Sequence, residues 1–219
     1  MQDKNTICAI STPPGNGAIA IIRLSGNQAL SILDSVFTPI KQQSADQFSA
    51  NSIHLGTLND GDQLIDEVLV SIFKTPHSYT GEDLAEISCH GSSFIQQKIM
   101  QLLIDKGART ADPGEFTMRA FENGKMDLAQ AEGVADLIAS SSSASHKLAM
   151  QQMRGGFSNE IKNLRERLLN FISLIELELD FSEEDVEFAD RNQFTELLNA
   201  INELIEKLLN SFELGNAIK

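Results

Sequence analysis

Hydrophobic and polar residues follow two different rhythms along this chain, and the rhythm changes near Pro113. Before that point, apolar residues gather in short runs rich in Ile, Val and Leu with turn residues between them, the pattern of β-strands. Thr6 to Ala9, Ala18 to Leu24, Ser52 to Leu58, Leu64 to Phe73 and Asp83 to Cys89 form five such runs. The turn Asn59-Asp60-Gly61-Asp62 joins the third and fourth into a hairpin. Helices are expected over Asn27 to Phe37 and from about Phe94 to Lys106, where Ser93 and Gln96 have capping-box spacing, Ile95, Ile99 and Leu102 form a stripe, and Gly107 stops the helix. The polar stretch Pro39 to Asn51 has no period and is read as a surface loop. These elements predict an α+β domain over residues 1–118, built on an about five-stranded, mostly antiparallel sheet.

From Pro113 onward the apolar spacing is that of helices, and no further strand signal occurs. Asp127 is placed to cap a helix carrying Leu128, Ala131, Ala135 and Ile138, and Ser140 to Ser143 interrupts it. Met150, Met153, Phe157, Ile161, Leu164, Leu168, Phe171 and Ile175 then alternate steps of three and four, predicting one long helix. Gly155 and Gly156 fall inside it and should weaken or bend it, each at about 1 kcal/mol relative to Ala. An acidic connector, Asp180 to Asp190, leads to a last helix with a box at Asp190 and Gln193 and a stripe of Phe194, Leu197, Ile201, Leu204 and Leu208 ending near Phe212. Residues 119–219 thus read as an all-α bundle. Three amphipathic helices leave apolar surface uncovered, so the bundle is expected to be incomplete.

At 219 residues and 42% hydrophobic content, the chain can bury one or two cores. No apolar run approaches the ~20 residues needed to span a bilayer. The start, Met1-Gln2-Asp3-Lys4, lacks a basic segment followed by an apolar one, so a soluble, cytoplasmic protein with no membrane partner is expected. Cys8 and Cys89 lie in separate strand-like runs without metal-ligand spacing and are read as reduced core thiols. A net charge of −14 excludes a protein that holds nucleic acid by its own general field. Neither half is basic: residues 1–118 carry 7 basic and 13 acidic side chains, and residues 119–219 carry 10 and 18.

Nucleotide chemistry has no seat here. The sole Gly-Lys pair, Gly124-Lys125, is followed by Met126 and preceded at P-loop spacing by Arg119 instead of glycine. Pro13-Pro14-Gly15-Asn16-Gly17 is either a tight turn between strands or a loop shaping a pocket. Three charges stand out. Arg23 shares a strand face with Ile19 and Ile21, where a guanidinium sheds water only if carboxylate or carbonyl oxygens replace it. Glu86 sits between Ala85 and Ile87 in another strand. The two either form an internal ion pair or face a cleft and hold a ligand. Lys125, in the turn before the Asp127 cap, is either a solvated lysine or a third member of that site. His90, after a strand and beside Gly91, lines the same pocket or is structural, while His54, His77 and His146 are scattered and make no metal constellation. The acidic connector lacks the alternate-ligand pattern of a calcium loop. No catalytic residue is assigned.

The run Thr6 to Ala18 continuing into Ile19-Ala20-Ile21-Ile22-Arg23-Leu24-Ser25-Gly26, then Ser78-Tyr79-Thr80-Gly81-Glu82-Asp83, Cys89-His90-Gly91, Pro113-Gly114-Glu115-Phe116-Thr117 and Arg119 to Glu132, closely resembles the amino-terminal part of the MnmE (TrmE) family of bacterial tRNA-modification GTPases. Several unrelated motifs in fixed order, over nearly the whole chain, make the resemblance specific. It implies that the chain is a fragment ending just before a Ras-like GTPase domain. That domain would be inserted into a helical domain completed by the far carboxy-terminal segment, and GTP, magnesium and potassium would belong to it.

The resemblance further implies that the amino-terminal domain, similar to the folate-binding domain of aminomethyltransferases, forms a homodimer and binds a reduced folate, 5-formyl- or 5,10-methylene-tetrahydrofolate. Arg23, Glu86 and Lys125 occupy the motif positions of its folate-binding residues. A pterin presents an N–H beside an exocyclic amine, two donors that one carboxylate can accept together, which suits Glu86. Arg23 or Lys125 then suits the ring carbonyl or the anionic glutamate tail. With an MnmG-type protein dependent on FAD and NADH, the parent would place an aminomethyl-type group on the wobble uridine of certain tRNAs. Two alternatives remain: a folate-dependent aminomethyl or methyl transferase acting alone, and a helical scaffold without a ligand.

Overall fold

The computed structural model describes residues 5–40, 44, 47–180 and 190–217. The chain divides into two compact units, Met1–Val134 and Ala135–Lys219. In the first, a seven-stranded sheet is formed by β1 (Ile7–Ile10), β2 (Ile19–Ser25), β3 (Phe37–Pro39), β4 (Ser52–Asp60), β5 (Gln63–Phe73), β6 (Leu84–His90) and β7 (Arg109–Thr110). Their order across the sheet is β3-β4-β5-β6-β2-β1-β7. Every pairing is antiparallel except β1 with β7. The five runs seen in the sequence are the five long strands. The two additional strands, of three and two residues, are too short to show a period of two.

Strict alternation decides which face is buried. Ala20, Ile22 and Leu24 of β2, Ala85 and Ile87 of β6, and Val68, Val70 and Ile72 of β5 are almost wholly inaccessible. They join one core cluster with Leu33 of α1 (Ala29–Asp34) and Ile99, Leu102 and Leu103 of α2 (Ser93–Asp105). Full burial of each Val, Ile or Leu among them contributes roughly 1.5–3 kcal/mol. Phe48, inside the stretch read as a surface loop, also belongs to this core and stacks on His54 at 3.6 Å between ring centroids. The opposite sheet face leaves Ile19, Ile53, Leu55 and Leu69 exposed.

Helix α2 starts differently from expectation. Ser92 is its N-cap, and no Ser93–Gln96 box forms. Instead the Asn16 side chain, from the Pro/Gly loop, accepts from Ser93 N (2.9 Å) and Ser93 Oγ (2.6 Å). Gln96 Nε2 donates to the carbonyls of Gly15 and Gly91. An acceptor near in sequence was displaced by one brought close by the fold. Helix α3 (Glu115–Glu122) follows, and α4 (Leu128–Ala139) begins with the expected Asp127 cap, Asp127 Oδ1 accepting from Gln130 N at 2.8 Å.

In the second unit, α5 (Ser143–Met153) opens on a Ser142–Ser145 capping box. The single long helix expected from Met150 to Ile175 is two: α5 ends at Met153 and α6 runs over Gly156–Asp180. Gly155 takes φ 72°, a left-handed conformation that ends a helix, so the glycine pair breaks the helix where bending was expected. Helix α7 covers Arg191–Ala217, and Asp190 Oδ1 accepts from Asn192 N at 2.8 Å at its start. Phe171 and Leu197 form the buried centre between α6 and α7, with Leu164, Leu168, Ile175, Phe194 and Ile201 around them. Phe171 and Phe194 stack at 4.6 Å. Most of the acidic connector, residues 181–189, and the side chains of Phe157, Leu208 and Phe212 lie outside the described residues.

Candidate functional site

Arg23 and Glu86 are directly opposite each other on β2 and β6. Arg23 Nε donates to Glu86 Oε1 at 2.7 Å. Both lie on the sheet face not covered by α1 and α2, with 32% of the arginine and 24% of the glutamate side chain accessible. The pair is end-on and incomplete. A guanidinium has five N–H donors and a carboxylate two oxygens, yet one N–H and one oxygen are engaged here. Among the described residues, the Arg23 Nη groups and Glu86 Oε2 have no hydrogen-bond partner. The guanidinium also lies over the Tyr79 ring, 5.4 Å from its centroid, a cation–π contact. The arginine is therefore oriented without being used up.

Tyr79 belongs to the loop between β5 and β6, and Lys125 reaches the same loop. Lys125 Nζ donates to the Pro76 carbonyl at 2.8 Å, and its stem lies against Gly81. A Cβ at Gly81 would meet Lys125 Cγ at 3.2 Å and Cδ at 3.3 Å, and its φ of 78° is strained for other residues. Asn123 Nδ2 donates to the Thr80 carbonyl at 2.7 Å. The fold thus joins Arg23 and Glu86 directly and ties Lys125 to them through one loop, without direct contact between Lys125 and either.

A second charged group was not singled out in the sequence. Arg119 of α3 is 7% accessible in its side chain and donates from Nη1 to both Glu82 oxygens (3.2 and 3.1 Å), from Nη2 to the Asn5 carbonyl (2.8 Å), and from Nε and Nη2 to Glu115 Oε1 (3.2 and 3.0 Å). Arg109 Nη1 and Nη2 grip Glu115 at 2.8 and 2.6 Å, and Asp112 N donates to it at 2.8 Å. Ser25 Oγ donates to Glu82 Oε2 at 2.9 Å. Hydrogen bonds from Arg109 lower the Glu115 carboxyl from an ordinary 4.5 to about 2; burial opposes this, and the Asp112 amide and Arg119 assist. The spacing of Glu115 and Arg119, one helical turn, was the available sequence signal. Nothing in spacing pointed to Glu82 or Arg109.

His90 is held by a buried carboxylate. Asp66, 8% exposed, accepts from His90 N (2.8 Å) and Glu67 N (2.9 Å) and pairs with His90 Nδ1 (2.7 Å). The ring itself remains largely accessible. Cys8 and Cys89 are free and buried, and burial pushes each thiol up to about 11. Among the described residues, no group of three His, Cys, Asp or Glu could hold a metal ion.

A mostly antiparallel α+β module with an unfinished charged pair on its open face, followed by helices, defines a two-module chain whose candidate site is that pair. Comparison with known families makes the assignment specific. Residues 6–125 match the family described as GTP-binding protein TrmE N-terminus, and residues 128–219 match the MnmE helical domain. The chain belongs to the MnmE (TrmE) family. It is 62% identical over 219 residues to a protein of Flavobacterium johnsoniae and 59% identical over 219 residues to one of Bacteroides fragilis, covering 100% of this chain and 47% of each relative. A Cytophaga hutchinsonii relative is 58% identical over 215 residues, 98% of this chain and 46% of its own length. All three are named tRNA modification GTPase MnmE. The chain spans about half the length of the curated relatives it matches. No described helix is long and apolar enough to cross a membrane.

Proposed function

We propose that residues 1–118 bind a reduced folate and dimerise, as the amino-terminal domain of a tRNA-modification GTPase, and that residues 119–219 form the platform for its GTPase domain. The observation that carries the folate reading is the incomplete Arg23–Glu86 pair. Glu86 offers a free oxygen and a shared one to the adjacent N–H and amine donors of a pterin. Arg23 keeps its Nη groups for a carbonyl or carboxylate, and Lys125, bonded to the loop that carries Tyr79, supplies a second cation. No metal is needed to hold such a ligand. The folate supplies the one-carbon unit; these side chains bind and orient it.

Dimerisation is supported by the uncovered sheet face. Leu55 and Leu69 are register partners on β4 and β5, and with Ile53 and Ile19 they put exposed aliphatics on the face that carries the charged pair. A second copy of the chain is its natural cover, which would also screen the folate from water. The helical unit supports the longer parent over the self-sufficient transferase. Ile172, Leu179, Leu198, Ile205 and Leu209 remain 42–68% exposed on α6 and α7, surface suited to further helices of the same protein. In the parent, GTP hydrolysis with magnesium and potassium would act in a domain outside these residues. An MnmG-type FAD protein would supply redox chemistry and share the tRNA in the cytoplasm, consistent with the acidity of this chain.

Calorimetric titration of the 219-residue chain with 5-formyltetrahydrofolate tests the reading. The unmodified chain binds, and Glu86→Gln, which keeps shape but converts an acceptor into a donor, weakens binding at least tenfold, about 1.4 kcal/mol. Unchanged affinity in that variant removes Glu86 as the anchor. The chain alone hydrolyses no GTP, and measured turnover by the pure protein contradicts that part of the reading.

A further inference from the structure

Helix α3 contacts the loop between β5 and β6 at four points spread over its length and the turn after it. Arg119 bridges to Glu82 at the loop's end, Thr117 Oγ1 and the Tyr79 hydroxyl lie 2.8 Å apart, Asn123 bonds the Thr80 carbonyl, and Lys125 bonds the Pro76 carbonyl. The loop also ties to itself and to the sheet: Thr75 Oγ1 donates to the Gly81 carbonyl, Ser78 Oγ to the Glu82 carbonyl, and the Ser25 and Thr80 hydroxyls are 2.7 Å apart. Glu115 is itself gripped by Arg109 of β7.

We infer that α3 is a clamp that sets the position of Tyr79 and Lys125 in the ligand site, with Arg119 as its positioning residue. The inference rests on the folate reading for the ligand and on the geometry above for the clamp. Arg119 touches neither Arg23 nor Glu86. Its nitrogens make five contacts, all to protein oxygens: two to Glu115, two to Glu82 and one to the Asn5 backbone carbonyl. A lysine at this position keeps the charge but cannot fork between two carboxylates and a carbonyl. The helix then loses its fixed height against the loop, and the aromatic ring beneath Arg23 and the ammonium of Lys125 lose theirs together.

The chain carries its own reporter, because Tyr79 is the single tyrosine and there is no tryptophan. Acrylamide quenching of intrinsic fluorescence therefore reads the accessibility of this one ring, without any ligand. Arg119→Lys is expected to retain the far-UV circular dichroism of the unmodified chain, to raise Tyr79 quenching, and to weaken 5-formyltetrahydrofolate about tenfold by calorimetry. In a Lys125→Met background the same substitution weakens binding by less than it does in the unmodified chain, because its effect runs partly through Lys125. If Arg119→Lys does not fold, Thr117→Val, which deletes only the hydroxyl partnering Tyr79, is expected to move quenching and affinity in the same directions. A folded variant with unchanged Tyr79 quenching overturns the clamp whatever the folate result. Raised quenching with unchanged affinity overturns its positioning role. An unmodified chain that binds no folate overturns the ligand reading instead, and the quenching alone then judges the clamp.

Discussion

Two arginine–glutamate groups in the first unit use the same chemistry to opposite ends. Around Arg119, the donors are all engaged, Glu115 is 4% exposed, and its oxygens meet two guanidinium groups and an amide. At Arg23 and Glu86, one bond is made, the groups are a quarter to a third accessible, and four arginine donors and one carboxylate oxygen are left over. Exhausted hydrogen bonding in a dry place fixes a structure and leaves no valence for anything else. Unfinished hydrogen bonding on an open face contributes little to stability and leaves room for a ligand. The difference lies in the burial and number of partners, since the residue types are identical.

The comparison is broken most severely by removing one member of the buried group. Arg119→Met strands Glu82 and Glu115 without their shared cation, and urea denaturation should show a loss of about 3–5 kcal/mol. Acid attacks the same group. The Glu115 carboxyl lies below its unfolded value, so its contribution is fully present above pH 4.5 and is lost as pH falls from there toward about 2. On that difference the loss is on the order of 3 kcal/mol, and Glu115→Gln should flatten this part of the stability–pH curve. Asn16→Ala, which removes the distant cap of α2, should cost about 1 kcal/mol by thermal or urea unfolding. Smallest is Glu86→Gln, expected to change stability by less than about 1 kcal/mol while its folate affinity falls. A loss at Glu86 as large as that at Arg119 would erase the distinction between the two groups.

Alternating apolar residues made the five long strands legible, and the position of Arg23 in that alternation put it on a face with Ile19 and Ile21. That Glu86 would stand opposite it depends on β6 pairing with β2 across a sequence separation of 63 residues, which no local pattern encodes. The α2 cap was misread for the same reason: Ser93 and Gln96 have box spacing, but the fold brings the Asn16 side chain to Ser93 and the Gly15 carbonyl to Gln96. Gly155 and Gly156 were visible as a weak point, while the break itself comes from a left-handed φ that the sequence permits without requiring. The buried network escaped because only Glu115 and Arg119 are helical neighbours; Glu82 and Arg109 arrive from separate loops and strands.

The most direct test of the ligand role is the structure of this chain soaked with 5-formyltetrahydrofolate. The pterin edge is expected on Glu86, with Arg23 or Lys125 on a carbonyl or carboxylate of the ligand and the Arg119 network unmoved. Folate bound elsewhere, or absent at saturating concentration with the Arg23–Glu86 pair undisturbed, would contradict it.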